Sequence, residues 1–170
     1  MAACQGSAEE VMANPSYQIE VVTLKPQPIL VMEDVVAPEA LGEALGRMLP
    51  QVYAYAEKQG AVITGMPFMR YLDMADKFHI QAGMPVAEAL AEASAGTEDI
   101  KADELPGGKA ATTVFLGPYH EVGAAWDAID AWRQERDMES RFGGWDVYEN
   151  DPSEVSDPKE LRTRIYQPLD

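Results

Sequence analysis

Lys109-Ala110-Ala111-Thr112-Thr113-Val114-Phe115-Leu116-Gly117-Pro118 reads as a strand that runs into the start of a helix. Small, β-branched and aromatic residues fill Ala110 to Phe115 without a breaker, and Gly117-Pro118 then introduces a helical pattern. Val122, Trp126, Ile129 and Trp132 follow at helical spacing, with the small Ala125 beside them. That spacing gathers them on one helix face. Upstream, Ile100 to Leu105 reads as a strand joined through the turn Pro106-Gly107-Gly108. Downstream, Gly143-Gly144 makes a turn, Trp145 to Tyr148 reads as a strand, and Leu161 to Gln167 as the last one, ending at Pro168.

The first half has the same layout. Tyr17 to Leu24 and Ile29 to Val36 are β-branched runs punctuated by Pro26 and Pro28. Ala37-Pro38 starts a helix whose apolar residues Leu41, Leu45, Met48, Val52 and Tyr55 share one face, and Gln59-Gly60 closes it. After the turn Gly65-Met66-Pro67, Phe68 to Leu72 and Lys77 to Ala82 read as strands around Asp73-Met74-Ala75-Asp76, ending at Gly83-Met84-Pro85. The halves keep register, with 33 positions from Pro38 to Tyr71 and 30 from Pro118 to Tyr148. Further on, Tyr71 to Pro85 is 14 positions and Tyr148 to Pro168 is 20, the excess being taken up by the acidic loop Asn150 to Pro158.

A duplicated module is the economical reading. Modules at about 17–90 and 98–170 make one domain over 16–170, behind a polar, flexible lead-in at 1–15 that carries Cys4. The expected class is α+β: an antiparallel sheet with two long helices on one face and a concave groove on the other.

Composition narrows the function. Apolar types make up 46% and charged types 25%, as in an ordinary globular domain. Against 13 Lys plus Arg stand 29 Asp plus Glu, a net charge of −16 that repels phosphate backbones, so no direct nucleic-acid binding is expected. The N-terminus lacks the charged and apolar regions of a secretory signal, and no apolar run nears the length of a membrane span. One cysteine and two histidines, His79 and His120, build neither a disulfide framework nor a three-ligand zinc site unless carboxylates help. The expectation is a reducing, cytoplasmic setting with no membrane, no metal and no cofactor.

Several blocks resemble the GyrI-like family. In the first half they are Gly65-Met66-Pro67-Phe68-Met69-Arg70-Tyr71 and the run from Phe78 to Val86. In the second they are Pro106 to Ala111, Gly117-Pro118-Tyr119, Trp145-Asp146-Val147-Tyr148-Glu149-Asn150-Asp151-Pro152 and Leu161 to Leu169. The resemblance covers about Tyr17 to the C-terminus. It implies two strand-helix-strand-strand modules about a pseudo-twofold axis, used as an effector-binding domain in AraC-type and multidrug-responsive activators. With no room for a helix-turn-helix module before Tyr17 or after Asp170, a standalone member is expected. Some standalone relatives bind DNA gyrase, and some are similar to hydrolases of cyclopropane-bearing genotoxins.

Strand alternation puts Asp146 and Tyr148 on one face, with Trp145 and Val147 on the other, and groups Arg164 with Tyr166. The repeat maps Asp146 and Tyr148 onto Met69 and Tyr71, and Arg164 onto Gln81, each of these last two lying four before a proline. The expected groove lining is therefore Met69, Tyr71, Gln81, Asp146, Tyr148, Arg164 and Tyr166, a set suited to a flat aromatic or cationic ligand. The resemblance implies a ligand-reaching carboxylate at Asp146, where the family usually has glutamate, and the basic Arg164 is a candidate partner for it. Trp126, Trp132 and Met48 are assigned to the core, and His79 and His120 to structural or exposed positions.

Three functions follow. The first is a protein that senses or sequesters a small aromatic or cationic molecule. The second is a hydrolase of electrophilic small molecules in which Asp146 orients water and Tyr71, Tyr148 or Tyr166 bonds the developing negative charge. No nucleophile-elbow motif and no phosphate-binding loop accompanies it. The third is an acidic interaction protein, with DNA gyrase as partner by family analogy. Haem is disfavoured for want of an axial ligand.

Overall fold

Along Gln27–Val36 the side chains alternate between two apolar environments, Leu30 and Met32 to one side and Ile29 and Val31 to the other, and all four are buried. A strand apolar on both faces belongs inside a covered sheet. The structure is a computed structural model that describes residues 17–88, 100–141, 143–150 and 154–170. The lead-in with Cys4, residues 151–153 of the acidic loop and the side chain of His120 lie outside the described residues.

In chain order the elements are β1 (Glu20–Leu24), β2 (Gln27–Val36), α1 (Leu41–Gln59), β3 (Phe68–Met74), β4 (Phe78–Pro85), β5 (Ile100–Leu105), β6 (Gly108–Leu116), α2 (Gly123–Glu135), β7 (Trp145–Tyr148) and β8 (Arg162–Pro168). Single 3-10 turns at Pro38–Ala40 and Tyr119–Glu121 lead into the two helices. Gly60, left-handed at φ 71°, ends α1 and donates its N–H to the carbonyls of Ala56 and Glu57. Neither helix is long and apolar enough to cross a membrane.

Among the described residues, eight strands form one antiparallel sheet in the order β1-β6-β8-β7-β3-β4-β2-β5. Each module lends its first strand to the other: β1 pairs with β6, and β5 pairs with β2. The modules meet at β3 and β7, where Met69 and Asp146, equivalent in the repeat, are direct partners. The α+β class and the twofold layout follow the sequence reading.

Both helices pack on one sheet face. Six residues of α1, among them Leu45, Met48, Val52 and Tyr55, are buried and pack in one cluster with Leu30, Met32, Ile80, Ala82 and Met84. Three of α2, Ala125, Ala128 and Ile129, are buried, and Ala125 and Ile129 pack with Ala111, Phe115 and Ile165. Thus α1 sits over β2 and β4, α2 sits over β6 and β8, and the central strands β3 and β7 lie between them. The opposite face carries Ile29, Val31, Phe68, Leu105 and Trp145, joined by Leu24, Val147 and Tyr166. Leu24 and Leu105 come from the two edge strands, so the sheet curls until its edges share one cluster. The links that close this end touch, and a Cβ on Gly107 would stand 2.7 Å from Pro26, which explains the glycine. Curling fills the face on which a groove was expected. The cavity opens instead on the helix side, over the strands that neither helix covers.

Candidate functional site

A cavity of about 1100 Å³ lies over the centre of the sheet. Its walls are Leu41, Gly42 and Leu45 of α1, Val122 just before α2, and Gly123 and Trp126 of α2, and its floor includes Met69, Tyr71, Asp146, Tyr148 and Thr163. Its size suits a drug-sized organic molecule.

Asp146 is the chemical centre. It is 1% exposed, and each carboxylate oxygen accepts one hydrogen bond: Oδ2 from the Tyr71 hydroxyl at 2.6 Å and Oδ1 from the Trp126 indole N–H at 2.9 Å. Burial pushes its pKa up to about 7, against the pull of those two donors. Burial first, and then the neighbouring Asp146, hold the hydroxyls of Tyr71 and Tyr148 well above the usual phenol range, so both stay protonated at neutral pH.

Aromatic rings surround this carboxylate. Tyr71 meets Trp126 edge-on at 6.0 Å and Phe78 edge-on at 6.3 Å, and Tyr119 tilts against Tyr148 at 4.9 Å. Two backbone features shape the cage. A register shift between Tyr71 and Asp73 lets the successive residues Tyr71, Leu72 and Asp73 all reach the cavity. At Gly144 a Cβ would stand 2.8 Å from the Trp126 ring, so the absence of a side chain there lets the indole lie against backbone and reach Asp146.

The charge on the cavity wall has one sign. Glu39, Asp73, Asp127 and Asp146 line it, and no Lys or Arg is among its described lining residues. Glu39, Asp73 and Asp127 are exposed, whereas the carboxyl of Asp146 is buried at the bottom.

Of the seven residues expected to line one groove, the structure brings together Met69, Tyr71, Asp146 and Tyr148. Gln81, Arg164 and Tyr166 are on the opposite face, which corrects that part of the expectation. Register is the reason: Asp146 pairs with Ile165, which puts Arg164 and Tyr166 beside Val147 and Trp145, and Gln81 pairs with Arg70 rather than Met69. The repeat equivalence of Gln81 and Arg164 survives, since both moved together. Arg164 bonds Glu149 at 3.0 Å instead of Asp146, and Tyr166 stacks on Trp145 at 5.6 Å. Gln81, 1% exposed, donates to Glu33 at 2.6 Å and Asp103 at 2.9 Å and accepts from Arg70 at 3.4 Å. His79 also bonds Glu33, at 3.2 Å.

Sequence reasoning missed Trp126, which it assigned to the core, and Phe78 and Tyr119. A signal for Trp126 existed. A buried indole N–H needs an acceptor, and this helix otherwise offers its inner face only apolar and small side chains.

The GyrI-like small molecule binding domain matches residues 17–170. The chain belongs to that family and is built as a small-molecule-binding domain. Among solved structures it is similar to the EcmrR C-terminal domain, at 16% identity and a TM-score of 0.78, covering 91% of this chain and 98% of that one. It also matches EcmrR in a cryo-EM complex with DNA, at 16% identity and a TM-score of 0.81, covering 99% of this chain and 63% of that one. SAV2435 bound to tetraphenylphosphonium shares the fold at 9% identity and a TM-score of 0.63, with 90% and 94% covered. A hydrolase from Listeria innocua shares it at 11% identity and a TM-score of 0.64, with 96% and 98% covered. No curated protein matches the chain.

Proposed function

We propose that this is a cytoplasmic protein that senses or sequesters an aromatic cation in the cavity between its helices. The observation that carries this reading is a buried carboxyl, Asp146, bonded among the described residues only to the neutral donors Tyr71 and Trp126, on a wall whose described lining holds no basic residue. Burying an uncompensated charge is costly, and a guest cation removes that cost. Tyr71, Trp126 and Tyr148 add ring faces worth about 0.5–2 kcal/mol each to a cation held over them. Met69 completes the floor with a soft, adaptable surface. The binding of tetraphenylphosphonium by SAV2435, a protein of the same fold, supports the reading.

Thermal shift tests it, because a ligand at 100 times its dissociation constant adds about 2.7 kcal/mol. Tetraphenylphosphonium is expected to raise the midpoint of the full chain, while a neutral aromatic of similar size does so less. Equal response to both, or none to either, refutes a cation site. A hydrolytic reading draws on the same carboxyl, whose pKa near 7 suits a general base. It requires turnover, and mass analysis of an incubated electrophile distinguishes the two.

A further inference from the structure

Capture of a cation by Asp146 leaves one buried polar group on the cavity floor unused. Thr163 of β8 is 0% exposed, lines the cavity, and its Oγ1 has no hydrogen-bond partner among the described residues. Buried hydroxyls are almost always bonded, and an unbonded one destabilises the fold, whereas valine fills the same volume without that cost. The register puts Thr163 directly opposite Tyr148 and on the same face as Asp146, diagonal to it across the β7–β8 pair. Such diagonal pairs stand about 7 Å apart at Cβ.

Asp146 also has capacity left. Each of its oxygens carries two acceptor sites and uses one, for Tyr71 or for Trp126. The floor thus holds a charged acceptor and a neutral one on the same face, and a headgroup with several N–H donors has a bond to offer each. A permanently charged quaternary centre satisfies the charge and leaves Thr163 unbonded.

We propose that the cavity is built for a protonated primary or secondary amine on an aromatic body, its N–H groups bonding Asp146 and Thr163 together. This rests on the cation reading and narrows it to one headgroup chemistry. Thr163 is then the residue that separates amines from fixed-charge cations, because only N–H donors repay its buried hydroxyl.

The test is calorimetry on the full chain with naphthylethylammonium and its N,N,N-trimethyl counterpart, which carry the same ring and the same charge. Wild type is expected to bind the primary ammonium at least about tenfold more tightly. Thr163→Val is expected to lose that preference by weakening the ammonium alone, while melting at a higher temperature because the unbonded hydroxyl is gone. Thr163→Ser is expected to keep the preference. Equal wild-type affinities for the two probes overturn the amine headgroup and leave the cation reading standing, as does a Thr163→Val that weakens both probes alike. Binding of tetraphenylphosphonium with neither naphthyl probe bound has the same meaning. If wild type binds none of the three, both readings fall.

Discussion

Asp146 and Gln81 are equally buried, each 1% exposed, and lie on neighbouring parts of one sheet, yet on opposite faces they meet opposite fates. Around Gln81 the protein completes its own polar network: Glu33 and Asp103 accept from the amide, Arg70 donates to it, and Lys101 pairs with Glu33 at 2.5 Å. The charges there are of both signs, and that face needs no visitor. Around Asp146 the donors among the described residues are both neutral, aromatic rings pack about it, and a cavity stands above. A buried polar group answered by countercharge is structure, whereas one left charged against a cavity is the mark of a site.

The strongest way to break this contrast is Asp146→Asn. A unit charge at 4 Å in an effective dielectric of 20 is worth about 4 kcal/mol, so the variant is expected to lose up to about a thousandfold in tetraphenylphosphonium affinity at pH 8. Calorimetry reading an unchanged affinity removes the charge from the recognition. In wild type the same affinity is expected to rise as pH increases to about 7 and to level off above, since a proton competes for Asp146 below that.

Stability moves the other way. The folded pKa of Asp146, about 7, exceeds its ordinary value of 3.8, so its contribution is greatest below pH 3.8, declines up to about pH 7 and is then constant. The decline amounts to at most about 4 kcal/mol. Asparagine imitates the protonated acid, so Asp146→Asn is expected to flatten that dependence and to be the more stable protein at pH 8. Urea titrations at pH 5 and pH 8 check the sign.

Gln81→Leu sharpens the contrast from the other face. Removing the amide takes one donor from each of Glu33 and Asp103, with an expected loss of about 2 kcal/mol of stability and no change in cation affinity. A parallel loss of affinity means that the faces are coupled through β3 and β4. Trp126→Phe keeps a ring and deletes one donor to Asp146, so the pH midpoint of binding is expected to move above that of wild type, at a cost of about 1 kcal/mol in stability. A midpoint that stays put removes the indole bond from the control of that carboxyl. The smallest effect is expected for Arg164→Ala, which breaks a partly exposed pair with Glu149. Its cost is within about 1 kcal/mol, with binding unchanged. A large loss of binding there would restore Arg164 to the site.

How much of this was legible in the chain follows from the range of each signal. Helical spacing located α1 and α2, and the Gly and Pro punctuation located the strands, because propensity, spacing and turn chemistry are local. Tyr17 was the chief misplacement at an end: β1 begins at Glu20, and Tyr17 packs instead against the cluster under α2. Strand alternation also grouped residues correctly, Asp146 with Tyr148, Met69 with Tyr71 and Arg164 with Tyr166. It states which side chains share a face and never which face that is.

That second choice depends on register between strands far apart in sequence and on the curl of the sheet. One step of register at the β7–β8 pair separates Arg164 from Asp146, and the same parity governs Gln81 against Met69. Trp126 and Thr163 joined the floor from α2 and β8 only when the two modules docked about β3 and β7. The chain by itself therefore settled the elements and the duplicated layout, matters of neighbouring residues, while the family resemblance pointed to the carboxylate of Asp146. Long-range pairing alone decided on which side of the sheet the cavity opens and which side chains meet there.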